Sequence, residues 1–291
     1  MDQARPRHDA PLLGPLTAAR PSEHRRRWIL VRVALGVLAV AGGAAAWLLL
    51  GGDDPRPVTL EEAKERVGGS TLTTAREGEF GPPAAGVYEY QGSGSEHTSF
   101  PPLTEAQGPT MPATVTGDGP GCWRFRIDYS SHHWQDWRFC ASSTGIATTG
   151  GQSFSRRDFP GFQVDNTSTF VCAEPDVVLW VDMQPGDVRP GRCTGTSTAV
   201  DGSTTSAGST TFLGDELVQV EGRAVLARRL RYERTLSGAQ EGTEVADWWV
   251  DPWTMLPLRH QHQIDLDTRV GSLTVSYREE STFELTSPTP R

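Results

Sequence analysis

Apolar positions follow two different patterns along this chain. From Trp28 to Leu50 the sequence WILVRVALGVLAVAGGAAAWLLL is continuously apolar, with a single charge at Arg32. Beyond Gly86 apolar residues recur at every second position in short runs, among them CWRFRIDY, WQDWRFC, VVLWVD, ELVQVEG, EVADWWV and LPLRHQHQIDL. A period of two predicts half-buried strands, because successive side chains point to opposite faces of a sheet. The breaks contain Gly-Asp-Gly-Pro-Gly, Gln-Pro-Gly-Asp, Asp-Gly-Ser and Asp-Pro, all turn formers. Such spacing, without a long amphipathic helix, predicts a mainly β domain over 86–286: an antiparallel meander, strongly curved or closed into a half-barrel. The Ser/Thr/Gly-rich stretch 201–211 reads as a loop, and residues 287–291 as a disordered tail.

The apolar run is long enough for one transmembrane helix, which needs about 20 residues. Basic His24-Arg25-Arg26-Arg27 precedes it and Asp53-Asp54 follows it. The positive-inside rule then predicts a cytoplasmic tail at 1–27, a single span at 28–50 and everything later outside the cytoplasm. The long polar leader favours an uncleaved signal anchor over a cleaved signal peptide. Between span and β-domain, 51–85 reads as a linker. It carries a short juxtamembrane helix at 59–67, opened by the capping box Thr59-Leu60-Glu61-Glu62 and stopped by Gly68-Gly69.

Charge narrows the partners. The leader contributes +3 and Arg32 +1 to a whole-chain −9, leaving −13 on residues 51–291. A domain this acidic is a poor match for a phosphate backbone, so nucleic acid is not expected as a partner.

All four cysteines, Cys122, Cys140, Cys172 and Cys193, lie beyond the apolar segment, as disulfides in an oxidising compartment would. The stretch GCWRFRIDYSSHHWQDWRFC invites a Cys/His metal site. Folded as a hairpin looped at Ser130-Ser131-His132, however, its residue numbers pair to a sum of 262. Cys122 then faces Cys140, Arg126 faces Asp136, and Trp123, Phe125 and Ile127 share a face with Trp137 and Phe139. His132 and His133 fall at the tip, too far from the sulfurs to share a metal with them. Cys172 and Cys193 pair by elimination, with a crossed arrangement left open.

The segments ADWWVDPWTM and LPLRHQHQ resemble the C-terminal part of extracytoplasmic domains of the LolA/LppX/RseB type, where a Trp-hydrophobic-Asp-Pro turn re-enters as Leu-Pro-Leu-Arg. The matching positions are Trp249, Val250, Asp251, Pro252 and then Leu256, Pro257, Leu258 and Arg259. GVYEYQGSGSE and the Gly-Cys…Trp…Cys hairpin are also similar to actinobacterial envelope proteins. The resemblance covers about 86–286 and implies a curved antiparallel sheet around an apolar hollow that holds acyl chains or senses envelope stress. It implies no catalytic residues, and the chain lacks the lipobox found in parts of that group.

Candidate site residues follow from parity. His260 and His262 share parity with Leu258, Ile264 and Leu266, and Tyr277 and Glu279 with Val275 and Phe283. One register sets Glu279 opposite His260, a pairing that could titrate near neutral pH or line the polar end of a hollow. Trp180, Trp248, Trp249 and Trp253 are the aromatic candidates for lining it. Nucleophile elbows, S-x-x-K, H-E-x-x-H and P-loop motifs are absent from the sequence, so neither an enzyme nor a cofactor is expected. The expected function is a single-pass envelope protein whose β-domain holds or senses a lipidic ligand. The alternatives are a protein–protein module of envelope, secretion or cell-wall machinery and, last, a hydrolase using His260, His262 and Glu279.

Overall fold

The computed structural model describes residues 54–67, 72–76, 78–159 and 162–291. The expected leader 1–27 and span 28–50 lie outside the described residues. Among those described, no helix is long and apolar enough to cross a membrane.

Helix α1 (Leu60–Val67) forms where its cap predicts. Thr59 accepts from the Glu62 amide through Oγ1 at 3.3 Å, and its own amide donates to the Glu62 carboxylate at 2.9 Å. The helix packs on the β-domain through buried Ala63 and through Arg66, 2.6 Å from Asp128.

Thirteen antiparallel strands follow: β1 (Gly86–Ser99), β2 (Pro102–Gln107), β3 (Thr110–Gly117), β4 (Cys122–Asp128), β5 (His133–Ser142), β6 (Gly145–Phe159), β7 (Phe162–Trp180), β8 (Val188–Ser197), β9 (Ser203–Val220), β10 (Arg223–Gly238), β11 (Gln240–Val250), β12 (Pro257–Val270) and β13 (Leu273–Leu285). Each pairs with its sequence neighbour from β3 to β13, and β13 returns to pair with β1. The expected half-barrel is thus a closed barrel of twelve strands. The reason lies in β1, which pairs with β13 on one side and divides its other edge, giving Gly86–Gln91 to β3 and Gly94–Ser99 to β2.

The β4–β5 hairpin adopts the register read from its sequence, with Cys122 opposite Cys140 and Arg126 opposite Asp136. Both expected disulfides are present, Cys122–Cys140 and Cys172–Cys193. Two expectations are corrected. Stretch 201–211 belongs largely to β9, laddered to β8 and β10 through its Ser, Thr and Gly backbone. Segment 287–291 is not free, because Arg291 and Val87 exchange backbone hydrogen bonds at 2.9 and 3.3 Å.

Twelve strands enclose more space than the eight that side chains alone fill, so a barrel of this size needs bulk to close it. One end has that bulk: Tyr88, Tyr90, Trp123, Phe125, Phe139 and Phe283 are almost fully buried there. The outer face carries ion pairs instead, including Arg231–Asp247 and Arg278–Asp265, both at 2.9 Å. A lipid-facing barrel would show an apolar band in their place.

Candidate functional site: a polar floor beneath an apolar lumen

The other half of the barrel is hollow. A cavity of about 440 Å³ runs into it, walled by Phe159, Phe170, Leu236, Ile264, Leu266 and Val275. Small residues make the room: Gly150, Gly151, Ser153, Ser155, Ser168 and Ser206 face the same space. Apolar side chains crowd the mouth, where Phe100 and Val270 are each 58% exposed.

The floor is polar and built from strands far apart in sequence. Glu96 on β1 and Glu279 on β13 are direct cross-strand partners, both inward and both buried. Two like charges opposite each other repel, so the arrangement needs cations or shared protons to exist. It has cations. Arg157 of β6 forms ion pairs with Glu96 and, at 2.7 Å, with Glu105 of β2. His133, the first residue of β5, places Nδ1 3.4 Å from Glu96 Oε1 and 3.6 Å from Glu279 Oε1. Tyr277 Oη lies 2.9 Å from Glu96 Oε2 and 2.6 Å from Glu279 Oε2, so it spans the outer oxygens of both carboxylates. Gln107 Nε2 donates to Glu279 Oε1 at 3.0 Å and sits 3.1 Å from His133 Nδ1.

These contacts set the electrostatics. Burial opposes charge on His133, but Glu96 and Glu279 outweigh it and push its pKa up to about 9. Burial likewise opposes ionisation of Glu96, yet His133 and Arg157 bring it down to about 2. Glu105 moves upward, because burial and the neighbouring Glu96 outweigh Arg157. Tyr277 is held well above its usual range by burial and by the two glutamates.

A second group adjoins the first. His262 Nε2 is 3.5 Å from Glu244 of β11. Burial would lower the His262 pKa, but Glu244 and Glu279 raise it. His260 lies deeper, its ring 4.1 Å from that of Trp248 and 4.7 Å from that of Phe283, with neither nitrogen hydrogen-bonded.

The residues singled out from sequence therefore separate. His262, Tyr277 and Glu279 line the cavity. Trp248 points inward below it, edge-on to Trp137. Trp249 points outward, between Arg229 and Arg259, and donates from Nε1 to Glu216 at 2.7 Å. Trp180 lies under Arg189, and Trp253 packs on Phe80. The inward parity of β12 and β13 agrees with the sequence reading, but the register does not: His260 faces Phe283, and Glu279 faces Ile264. The cause is the turn. Val270 pairs with Leu273 around Gly271-Ser272, and Gly271, at φ 62°, supplies the left-handed conformation that a two-residue turn requires.

Sequence reasoning missed Glu96, Gln107 and Arg157 and left His133 at a solvent tip. A signal for His133 existed, because it shares parity with the inward Trp137 and Phe139. Gln107 reaches the floor because Gly94 leaves space; a Cβ at Gly94 would collide with the Gln107 amide oxygen. Compared with protein-family models, with curated proteins and with solved structures, the chain finds no match in any of the three.

Proposed function

We propose that the barrel is a non-catalytic holder or sensor of an apolar or amphipathic ligand of the cell envelope. The cavity carries this reading: its volume of about 440 Å³ falls within the range of about 300–1,000 Å³ typical of ligand pockets. Its apolar wall and the exposed aromatic lip at Phe100 and Phe162 suit an acyl or isoprenoid segment. The polar end of such a molecule would meet Arg157, Tyr277 and His262 at the floor. Both disulfides favour an oxidising compartment. The expected span at 28–50 would then tether the barrel outside the cytoplasm. A closed lumen replaces the open hollow that the LolA/LppX/RseB resemblance implies, while the ligand class stays the same.

A hydrolase reading is less well served, since Glu279 is engaged by Gln107 and Tyr277 and His260 lies among aromatic rings. A protein-docking reading has one supporting observation, the exposed cross-strand pair Leu217–Leu226 near the tip of the β9–β10 hairpin.

Native mass spectrometry of the full chain, purified in mild detergent, tests the proposal. A bound amphiphile should be recovered, and a fluorescent fatty acid should titrate to one equivalent. Ser153→Trp, which places an indole in the lumen, should weaken that probe at least about tenfold, or about 1.4 kcal/mol. Empty preparations and an unsaturable probe would overturn the lipid reading. A protein captured through Leu217 and Leu226, and lost in the double serine variant, would favour docking.

A further inference from the structure

The inner oxygens of the two buried glutamates and one imidazole nitrogen converge on a single point. The ligating atoms of Glu96, His133 and Glu279 all lie within 4.8 Å of one another. We propose that Glu96, His133, Glu279 and Gln107 form a site for one divalent transition-metal ion of Zn²⁺ size at the floor of the lumen.

Geometry carries the proposal. An ion with donors at about 2.1 Å in a tetrahedron separates those donors by about 3.4 Å. Here His133 Nδ1 is 3.4 Å from Glu96 Oε1 and 3.6 Å from Glu279 Oε1. The Gln107 amide nitrogen stands 3.1 Å from the same Nδ1 and 3.0 Å from Glu279 Oε1. Four of the six donor separations, 3.0–3.6 Å, are thus close to those of a coordination shell, and the Glu96, His133 and Glu279 atoms all lie within 4.8 Å of one another.

Gln107 points to the ion independently. Its residue is 5% exposed, and its Oε1 is buried without a hydrogen-bond partner. The two ends of an amide differ by a half-turn. Turned, Oε1 would face the Glu279 carboxylate oxygen, a repulsion without a cation between them and a ligand bond with one. The ion resolves what neither orientation satisfies alone.

The surroundings supply the outer support that metal ligands ordinarily have. Tyr277 Oη lies within hydrogen-bond distance of Oε2 of each carboxylate and can donate to one of them. Arg157 holds Glu96 Oε2, while its Nη1 also reaches Glu96 Oε1 at 3.4 Å; both Oε1 atoms lie within 3.6 Å of His133 Nδ1. One imidazole with oxygen donors and no thiolate suits Zn²⁺, Mn²⁺ or Fe²⁺ better than Cu⁺. His133 and Glu279 also line the cavity, so the ion would enter through the lumen. The site does not require the lumen to hold a lipid.

The test uses the untagged full chain after chelator treatment. Co²⁺ should give visible d–d bands that saturate at one equivalent and are bleached by one equivalent of Zn²⁺. X-ray absorption of the Zn²⁺-loaded chain should show one imidazole and otherwise oxygen neighbours. Losing an outer-shell partner costs about 10–100-fold in affinity, so Tyr277→Phe should weaken Co²⁺ binding by about tenfold. Glu96→Gln and Glu279→Gln, which keep size and remove a ligand, should weaken it by about 100-fold or more, with near-UV circular dichroism unchanged. The absorption measurement needs no variant and so stands even if these substitutions disturb folding. Absence of a saturable Co²⁺ spectrum, a shell with two or more imidazoles, or binding abolished by His262→Gln and untouched by Glu279→Gln would each overturn the site.

Discussion

His260 is the residue whose surroundings most directly couple the fold to pH. Trp137, Trp248 and Phe283 surround its ring from β5, β11 and β13, and the charge that acts on it is that of His262 on its own strand. Burial, aided by His262, pulls its pKa well below the ordinary value. In the unfolded chain it takes up a proton near about pH 6.5, so the unfolded state binds more protons below that point and stability falls on acidification. His262 has the opposite sign: Glu244 and Glu279 raise its pKa against burial, so its contribution is present below about pH 6.5 and is lost as pH rises through the folded value. We expect His260→Phe to unfold at equal or higher urea concentration near about pH 8. Between about pH 7 and about pH 5 it should lose less stability than the parent, by up to about 1.4 kcal/mol per pH unit. Parallel midpoints across that range would remove His260 as the source. Parity in the sequence is enough to turn this residue, and Tyr277 and Glu279, toward the interior. It cannot supply their neighbours, because Glu96, Gln107, His133 and Glu279 come from four different strands, β1, β2, β5 and β13, of which β5 pairs with none of the other three.

Among the elements, the β7–β8 seam has the shortest ladder in the barrel wall. Its ladder spans only four pairs, Ser168–Val171 against Thr194–Ser197, and Cys172–Cys193 closes it where the ladder stops. The β4–β5 hairpin has seven pairs besides its covalent link. The two disulfides close loops of similar length, 18 and 21 residues apart, and each should contribute about 3 kcal/mol to global stability. Their local effects should differ. Cys172→Ser with Cys193→Ser should speed amide exchange across β7 and β8 and weaken occupancy of the adjoining lumen, whereas Cys122→Ser with Cys140→Ser should leave exchange in β4 and β5 slow. Equal protection in both double variants would contradict this. Hairpin register is legible where two cysteines and an alternating aromatic face agree. The β9 strand is not, because its Ser, Thr and Gly residues resemble a linker. Their small size has a structural cause: inward-facing bulk there would fill the cavity.

For the whole molecule, closure decides whether there is a lumen at all. The sequence reading reaches a curved meander, because every ladder from β3 to β13 joins neighbours along the chain. The exception, β1 with β13, leaves no local trace, since neither strand carries a turn that announces its partner. A chain stopped after Val270 lacks β13, and β1 and β12 then each expose an unpaired edge. Such a truncation should aggregate and lose the near-UV signal of its buried aromatics, while the full chain unfolds in one cooperative transition. A monomeric truncation with native near-UV circular dichroism would show that closure is dispensable.

The divided edge of β1 also places the barrel in time. A ribosome makes β1 first and β13 last, and their ladder joins Tyr90 to Leu285 and Thr98 to Tyr277. The first strand must therefore wait with one flank unmatched until almost the whole domain has been synthesised and, if exported, translocated. Contacts this distant in sequence make folding slow and leave adhesive edges open meanwhile. Gly92 and Gly94 meet Phe283 and Ser281 only after the last strand has been made, so closure is the final act of folding wherever the chain completes it.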